Sequence, residues 1–224
     1  MASKPLPQHG LQVLSDHGAG RVFLTLVDDL AYLPLAESVA LHVSKKARAV
    51  TVASAPVTAA SWESLSESLE HLIEQLGVRQ FSVMGLGAGA TLAQNLALSN
   101  PKSVRILSVV DASSRPHPSL WERMVDRIEA KLPFGLPLRL GSRGFNIKSY
   151  VHRLRCPLLV VGTSRASKFI RHELESLAAL APTAWKVMLN EPDFEREAVS
   201  LTSTLLAFYD TPAKCPQKNL GVAV

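Results

Sequence analysis

The sequence is poor in cysteine and has no long apolar run, and both absences narrow the classes of protein that it can encode. Its 224 residues include two cysteines, Cys156 and Cys215, too few for a disulfide framework or a cysteine-based metal site. No apolar stretch approaches the ~18 residues that cross a bilayer, and the N-terminus lacks the apolar segment of a secretory signal. We therefore expect a cytoplasmic protein with no transmembrane segment and with reduced thiols.

Excess charge is also scarce, except in one segment. Charged residues make up 19% of the chain, and the formal net charge is +5. Nine Lys/Arg and three Asp/Glu lie between Ser113 and Arg155, so the rest of the chain is close to neutral. Clustered arginines such as Arg123, Arg127 and Arg139 would suit an anionic surface, either lipid head groups, nucleic acid or an acidic protein. The alternative is a solvated surface on which arginine stems cover apolar groups.

Short β-branched runs alternate with amphipathic helical patterns, which is typical of a parallel α/β sheet. Strands are predicted at 11–15, 21–27, 49–53, 81–84, 104–110, 157–161 and 185–189. Helices are predicted at 33–46, 61–76, 90–99, 167–180 and 194–209.

Two stretches depart from this alternation. Residues 112–155 carry an amphipathic helix at 119–132, a proline- and glycine-rich run, and a short helical stretch at 147–154. From 211 the composition turns polar and contains proline, as in a loose tail. We therefore predict a single domain over 1–210 with an insertion at 112–155, and a flexible C-terminal tail over 211–224.

A glycine-rich turn, Gly85-Leu86-Gly87-Ala88-Gly89, joins the fourth predicted strand to a helix. It resembles the nucleophile elbow G-x-S-x-G of the α/β-hydrolases, in which glycines permit a sharp strand-to-helix turn. The later strand-helix-strand-helix order and the insertion at 112–155, where the family has its cap, extend the resemblance over about 11–209. The resemblance implies an α/β-hydrolase fold, with a mostly parallel twisted sheet flanked by helices and a short helical cap.

The family hydrolyses esters and amides with a nucleophile, a histidine base and an orienting acid, and this sequence departs from it at each place. Gly87 stands at the nucleophile, Arg165 at or next to the acid, and Asp193 or a neighbour at the histidine. Asp28 and Asp29 follow the second strand, where the family often has His-Gly beside the oxyanion hole. The resemblance therefore implies a catalytically degenerate member with no catalytic residue.

The first functional hypothesis is a protein that binds a small molecule, a lipid or a protein partner. Its pocket would lie between the cap and the turn, where the missing serine side chain leaves additional room. The amide of Ala88, at a helix N-terminus, would serve there as a donor to an anion or carbonyl. The candidate binding residues are Asp28, Asp29, Gly87, Ala88, Asp111, Arg165 and Asp193.

Two further hypotheses stay open. An enzyme of atypical mechanism would use Asp28, Asp193 or Asp111 as its base. An adaptor would instead dock on an anionic surface through the basic segment.

No cofactor and no metal are expected, although two patterns in the sequence have alternative interpretations. Asp28, Asp29 and Asp193 would form an acidic cluster at the end of the sheet that binds a cation or an amine, or would cap helices. Gly85-x-Gly87-x-x-Ala90 fits a relaxed dinucleotide pattern. That pattern follows the fourth strand rather than the first, and no acid follows it until Asp111.

Overall fold

One seven-stranded sheet forms the centre of the molecule. The structure is a computed structural model that describes residues 10–55, 57, 62–113, 147–191 and 193–210. The strand order is β1-β3-β2-β4-β5-β6-β7; β1 is antiparallel to β3, and the other neighbouring pairs are parallel. The strands are β1 (Leu11–His17), β2 (Val22–Val27), β3 (Arg48–Ser54), β4 (Phe81–Leu86), β5 (Val104–Val110), β6 (Leu158–Gly162) and β7 (Ala184–Met188). The predicted mostly parallel sheet is confirmed.

Helices cover both faces of this sheet. The described helices are α1 (Leu33–Val43), α2 (Trp62–Leu76), α3 (Gly89–Ser99), α4 (Lys168–Leu180) and α5 (Phe194–Asp210). Short 3-10 turns lie at Leu30–Tyr32, Ile147–Ser149 and Val151–Arg153. The apolar stripes of α2, α3 and α4 pack on one face, and those of α1 and α5 pack on the other. Burial on both faces explains why β2 is apolar at nearly every position.

The ends of several elements differ from the predicted ones. β4 continues through Gly85 to Leu86, because both neighbouring strands pair with these residues and keep the glycine in the ladder. β1 extends to His17 instead of turning at Asp16, because both residues pair with β3. The helical stretch predicted at 147–154 is two 3-10 turns rather than a helix.

Two predicted regions lie largely outside the described residues. Of the insertion at 112–155 the structure describes 112–113 and 147–155, and the tail at 211–224 is not described. Arg123, Arg127 and Arg139 are therefore also outside it, and the division into a domain, a cap and a tail stays a prediction. No helix in the described ranges is both long and apolar enough to cross a membrane.

Because strands β2–β7 are parallel, their two ends lie on opposite sides of the sheet. The parallel strands all end at one edge, here called the carboxyl edge, and begin at the opposite one, the amino edge. In open α/β sheets ligands generally bind outside the carboxyl ends of the strands. The turn at Gly87 lies at that edge, after β4 and before α3.

Candidate functional site

The glycine-rich turn has the sharp strand-to-helix geometry that its sequence predicts. Gly87 has a φ of +59°, a left-handed conformation that glycine adopts without steric cost. A Cβ at Gly89 would lie 2.8 Å from the carbonyl oxygen of Leu26 in the neighbouring strand. Close approach of β2 therefore requires glycine at the start of α3, and backbone conformation favours it at the centre of the turn.

The ring of Tyr32 occupies the space beside Gly87 into which a side chain would project. A Cβ built on Gly87 would lie 2.9 Å from Cε2 and 3.2 Å from Cδ2 of Tyr32. The tyrosine hydroxyl donates to Oδ2 of Asp111 over 3.2 Å, which anchors the ring. The expectation that the missing serine side chain leaves additional room is therefore wrong, because this ring fills the position.

Asp111, which accepts the hydrogen bond from Tyr32, is buried. It follows β5, is 3% exposed and has a φ of +49°. Its Oδ1 accepts a hydrogen bond from the backbone amide of Thr163 at 2.8 Å, and its Oδ2 accepts one from the Thr163 hydroxyl at 2.5 Å. Residues that follow β2, β5 and β6 thus form one hydrogen-bonded network at the carboxyl edge.

Burial is the largest influence on the pKa of both Asp111 and Tyr32. Burial raises the pKa of the Asp111 carboxyl above its usual range, and the hydrogen bonds from Thr163 and Tyr32 oppose that shift. Burial, followed by the charge of Asp111, raises the pKa of the Tyr32 hydroxyl. Tyr32 therefore remains a protonated donor at neutral pH.

Asp28 joins the end of β2 to the start of α3. It is 8% exposed, and its Oδ1 accepts a hydrogen bond from the backbone amide of Gly89 at 3.0 Å. A carboxylate at a helix N-terminus is stabilised by the exposed amides and the helix dipole. The same oxygen would lie 3.5 Å from a Cβ on Gly87, so Asp28 borders the turn directly.

Asp29 and Asp193 cap local turns on the surface. Asp29 accepts a hydrogen bond from the amide of Ala31 at 2.9 Å and so caps the 3-10 turn that carries Tyr32. Asp193 accepts one from the amide of Arg196 at 2.9 Å, at the first turn of α5. Among the residues that the structure describes, no three His, Cys, Asp or Glu side chains are placed to hold a metal ion.

Arg165 forms hydrogen bonds to this network from its exposed side. Its Nη1 donates to the carbonyl oxygen of Ala31 at 3.0 Å, and its backbone amide donates to the Thr163 hydroxyl at 3.2 Å. The cation thereby links the loop after β6 to the turn before Tyr32. Ala88 is buried, and its carbonyl accepts from the amide of Thr91 at 2.9 Å; its amide as a ligand donor stays a prediction.

Sequence reasoning missed Tyr32, Thr163 and Glu197. Glu197, on α5, is 2% exposed, and its Oε2 accepts from the backbone amide and hydroxyl of Ser164 at 3.2 and 2.7 Å. Its Oε1 has no hydrogen-bond partner in the described part of the chain. Only their positions after β2 and β6 could have drawn attention to Tyr32 and Thr163, and nothing in the sequence distinguishes Glu197 from a surface helix residue.

The side chains around the turn can accept and donate hydrogen bonds. Position 87 has no side-chain atom that could attack a substrate. The residues after β7, Leu189-Asn190-Glu191-Pro192-Asp193, include no histidine. Two acids and a tyrosine hydroxyl surround the turn instead.

Solved structures of α/β-hydrolases are similar to this chain. An enol-lactonase from Burkholderia xenovorans has a TM-score of 0.67 at 17% identity, covering 90% of this chain and 96% of that one. A thermophilic esterase from Thermogutta terrifontis has a TM-score of 0.65 at 15% identity, covering 89% and 92%. For an α/β hydrolase from Sphaerobacter thermophilus the TM-score is 0.63 at 16% identity, covering 89% and 96%.

Comparisons of the sequence alone give no match. No protein-family model matches the chain, and no curated protein is significantly similar to it in sequence. The structural similarity at these low identities shows the fold alone, so the chemistry of the site has to be judged from its own residues. The sheet order, the strand-turn-helix at Gly87 and the structural similarities together show that the chain has the α/β-hydrolase fold.

Proposed function

We propose that this protein acts by binding a small molecule, a lipid or a protein partner at the carboxyl edge, and that it does not carry out serine-type hydrolysis. One observation carries the proposal: the place of a nucleophile at Gly87 is filled by the ring of Tyr32, whose hydroxyl is bonded to Asp111. A substrate carbonyl would meet an aromatic ring where the family's reaction needs an oxygen nucleophile.

The neighbouring side chains support the same proposal. Asp28 holds the amide of Gly89, so its carboxylate borders the space where an oxyanion would develop. A negative charge there opposes the charge of a tetrahedral intermediate. Removal of one triad member already costs about 10⁴–10⁶-fold in rate, and here the nucleophile and histidine positions are both altered.

Active-site labelling tests the proposal. The purified protein, treated with a fluorophosphonate probe and mapped by peptide mass spectrometry, should carry no label, and it should not turn over short-chain p-nitrophenyl esters. An active serine hydrolase treated in parallel checks the probe. Labelling of a residue near the turn, such as Thr91 on α3, or ester turnover that the probe abolishes, would refute the proposal.

The second candidate function is an enzyme of atypical mechanism that uses Asp28, Asp193 or Asp111 as its base. Each of the three accepts a hydrogen bond from a backbone amide. Asp111 is favoured among them because it is the most deeply buried, its pKa is raised, and it also accepts from a tyrosine hydroxyl. A buried carboxyl within hydrogen-bond distance of a second proton donor is a candidate for general acid–base catalysis. If an activity is found, Asp111→Asn should abolish it, while retention of activity in that variant would exclude this mechanism.

A further inference from the structure

A cleft at the amino edge of the sheet, on the opposite side from the turn at Gly87, has the features of a second site. It has a volume of about 150 Å³ and lies between the first residues of β2, β4 and β5 and the ends of α1 and α5. A cavity of about this size accommodates one benzene ring. The cleft belongs to the sheet face that α1 and α5 cover.

Aromatic and aliphatic side chains form the inner wall of this cleft. Phe23, Ile106 and Leu206 line it together with Tyr209. The rings of Phe23 and Tyr209 meet edge to face, with centroids 5.3 Å apart. A planar aromatic group would add a third ring to this pair in a geometry that aromatic rings favour.

Cationic side chains surround the mouth of the cleft. Arg21, Lys46 and Arg105 line it, against one acid, Asp210. Lys46 lies 3.7 Å from the Asp210 carboxylate, whereas neither arginine forms an ion pair within the described part of the chain. The ends of α1 and α5 each contribute roughly half a negative charge here, which is less than the two arginines supply.

Arg105 is placed there by an irregularity in the sheet. Phe81 pairs with Val104, and the next residue, Ser82, pairs with Ile106, so Arg105 is an extra residue between two rungs. Such bulges re-aim a side chain at the cost of a local break in the ladder. The bulge puts Val104 and Ile106 on opposite faces of the sheet and leaves the exposed Arg105 at the mouth of the cleft.

We propose that this cleft binds an aromatic monocarboxylate, with its ring against Phe23 and Tyr209 and its carboxylate paired with Arg21 and Arg105. A guanidinium binds a carboxylate with two parallel hydrogen bonds, and the apolar wall removes the ring from water. The site lies away from the carboxyl edge and does not depend on the function proposed there.

Titration with three small probes tests the proposal. The ¹⁵N-labelled protein is titrated at low salt with sodium benzoate, with neutral benzamide and with sodium acetate, while backbone amide shifts are followed. Benzoate should give saturable shifts at Phe23, Ser82 and Tyr209. Benzamide, which lacks the charge, and acetate, which lacks the ring, should each bind at least about tenfold more weakly.

Matched arginine variants assign the contact. Arg21→Gln and Arg105→Gln should each weaken benzoate binding roughly tenfold, and both side chains are exposed, so the fold should persist. Arg196→Gln, at the opposite edge, should bind benzoate as the unmodified protein does. The proposal is overturned by an absence of saturable shifts at the cleft, by equal binding of benzoate and benzamide, or by an equal loss in Arg196→Gln.

Discussion

At the residue scale, Gly87 and Tyr32 are sterically coupled. A side chain at position 87 meets two costs, a left-handed backbone conformation and contact with the tyrosine ring. Gly77 offers a matched control, because its φ is +63° and a Cβ there would have no neighbour within 4 Å. The two glycines therefore separate the conformational cost from the steric one.

We expect Gly87→Ala to lower the free energy of unfolding by about 1–3 kcal/mol, and by more than Gly77→Ala does. In a Tyr32→Ala background the cost of Gly87→Ala should fall toward that of Gly77→Ala, since the ring is gone. Urea denaturation of the single and double variants measures this coupling. Additive effects of Gly87→Ala and Tyr32→Ala would show that the ring does not restrict position 87.

The buried carboxyl of Asp111 predicts an unusual dependence of stability on pH. Burial raises its pKa in the folded state. The folded state therefore binds this proton more tightly than the unfolded state, in which the pKa is about 3.9. The resulting stabilisation is complete below the unfolded pKa and is lost as pH rises through the folded pKa.

Relative to the unmodified protein, Asp111→Asn should therefore gain stability between pH 3.5 and pH 7. Asparagine also tolerates the φ of +49°. Asp16→Asn should show the opposite trend, because hydrogen bonds from Arg48 lower the pKa of Asp16. Its stabilisation is lost as pH falls, and it is small because solvent screens this partly exposed pair. Urea denaturation at both pH values measures each trend, and a shared direction would contradict the assignment.

At the element scale, the position of Asp193 at the N-terminus of α5 indicates that this residue caps the helix and need not have a catalytic role. Its carboxylate caps the amide of Arg196, and asparagine caps helices as well as aspartate does. Asp193→Asn should therefore leave the free energy of unfolding nearly unchanged, whereas Asp193→Ala should lower it by about 1 kcal/mol. Thermal or urea unfolding measures both variants.

The N-terminus of α4 supplies a reference for that cost. Ser167→Ala removes a hydroxyl that accepts from the amide of Ile170 at 3.2 Å, and a similar loss is expected there. If Asp193→Asn were as destabilising as Asp193→Ala, the charge of Asp193 rather than capping would account for its presence.

The type of most elements could be predicted from the sequence, but the residues at which they begin and end could be predicted less well. The apolar stripe of α2 and the apolar run of β2 reflect which side chains of each element are buried. Such patterns can be recognised in the sequence of the element itself. The extension of β4 through Gly85 depends on β2 and β5 lying on either side of it. Because that pairing joins residues distant in the chain, local patterns could not have fixed where the strand ends.

At the scale of the whole molecule, the sequence placed Gly87, Asp28, Asp111 and Arg165 at strand ends, and the fold brings them to one edge. It could not show how the edge is filled. Tyr32 and Asp111 are 79 residues apart in the chain, and their contact follows from the order of the strands. The cleft at the amino edge arises in the same way, from three strands and two helices whose residues share no local pattern.

The contact between Tyr32 and Gly87 also sets an order for any redesign of this fold into a hydrolase. A serine introduced first would enter an occupied space and would be strained before it could be useful. Replacing the tyrosine first would vacate that space and remove the hydroxyl that donates to Asp111, so a serine at position 87 would no longer meet the ring. Substitutions at the two positions are therefore epistatic. A nucleophile at position 87 depends on a prior substitution of Tyr32, which lies 55 residues earlier in the chain.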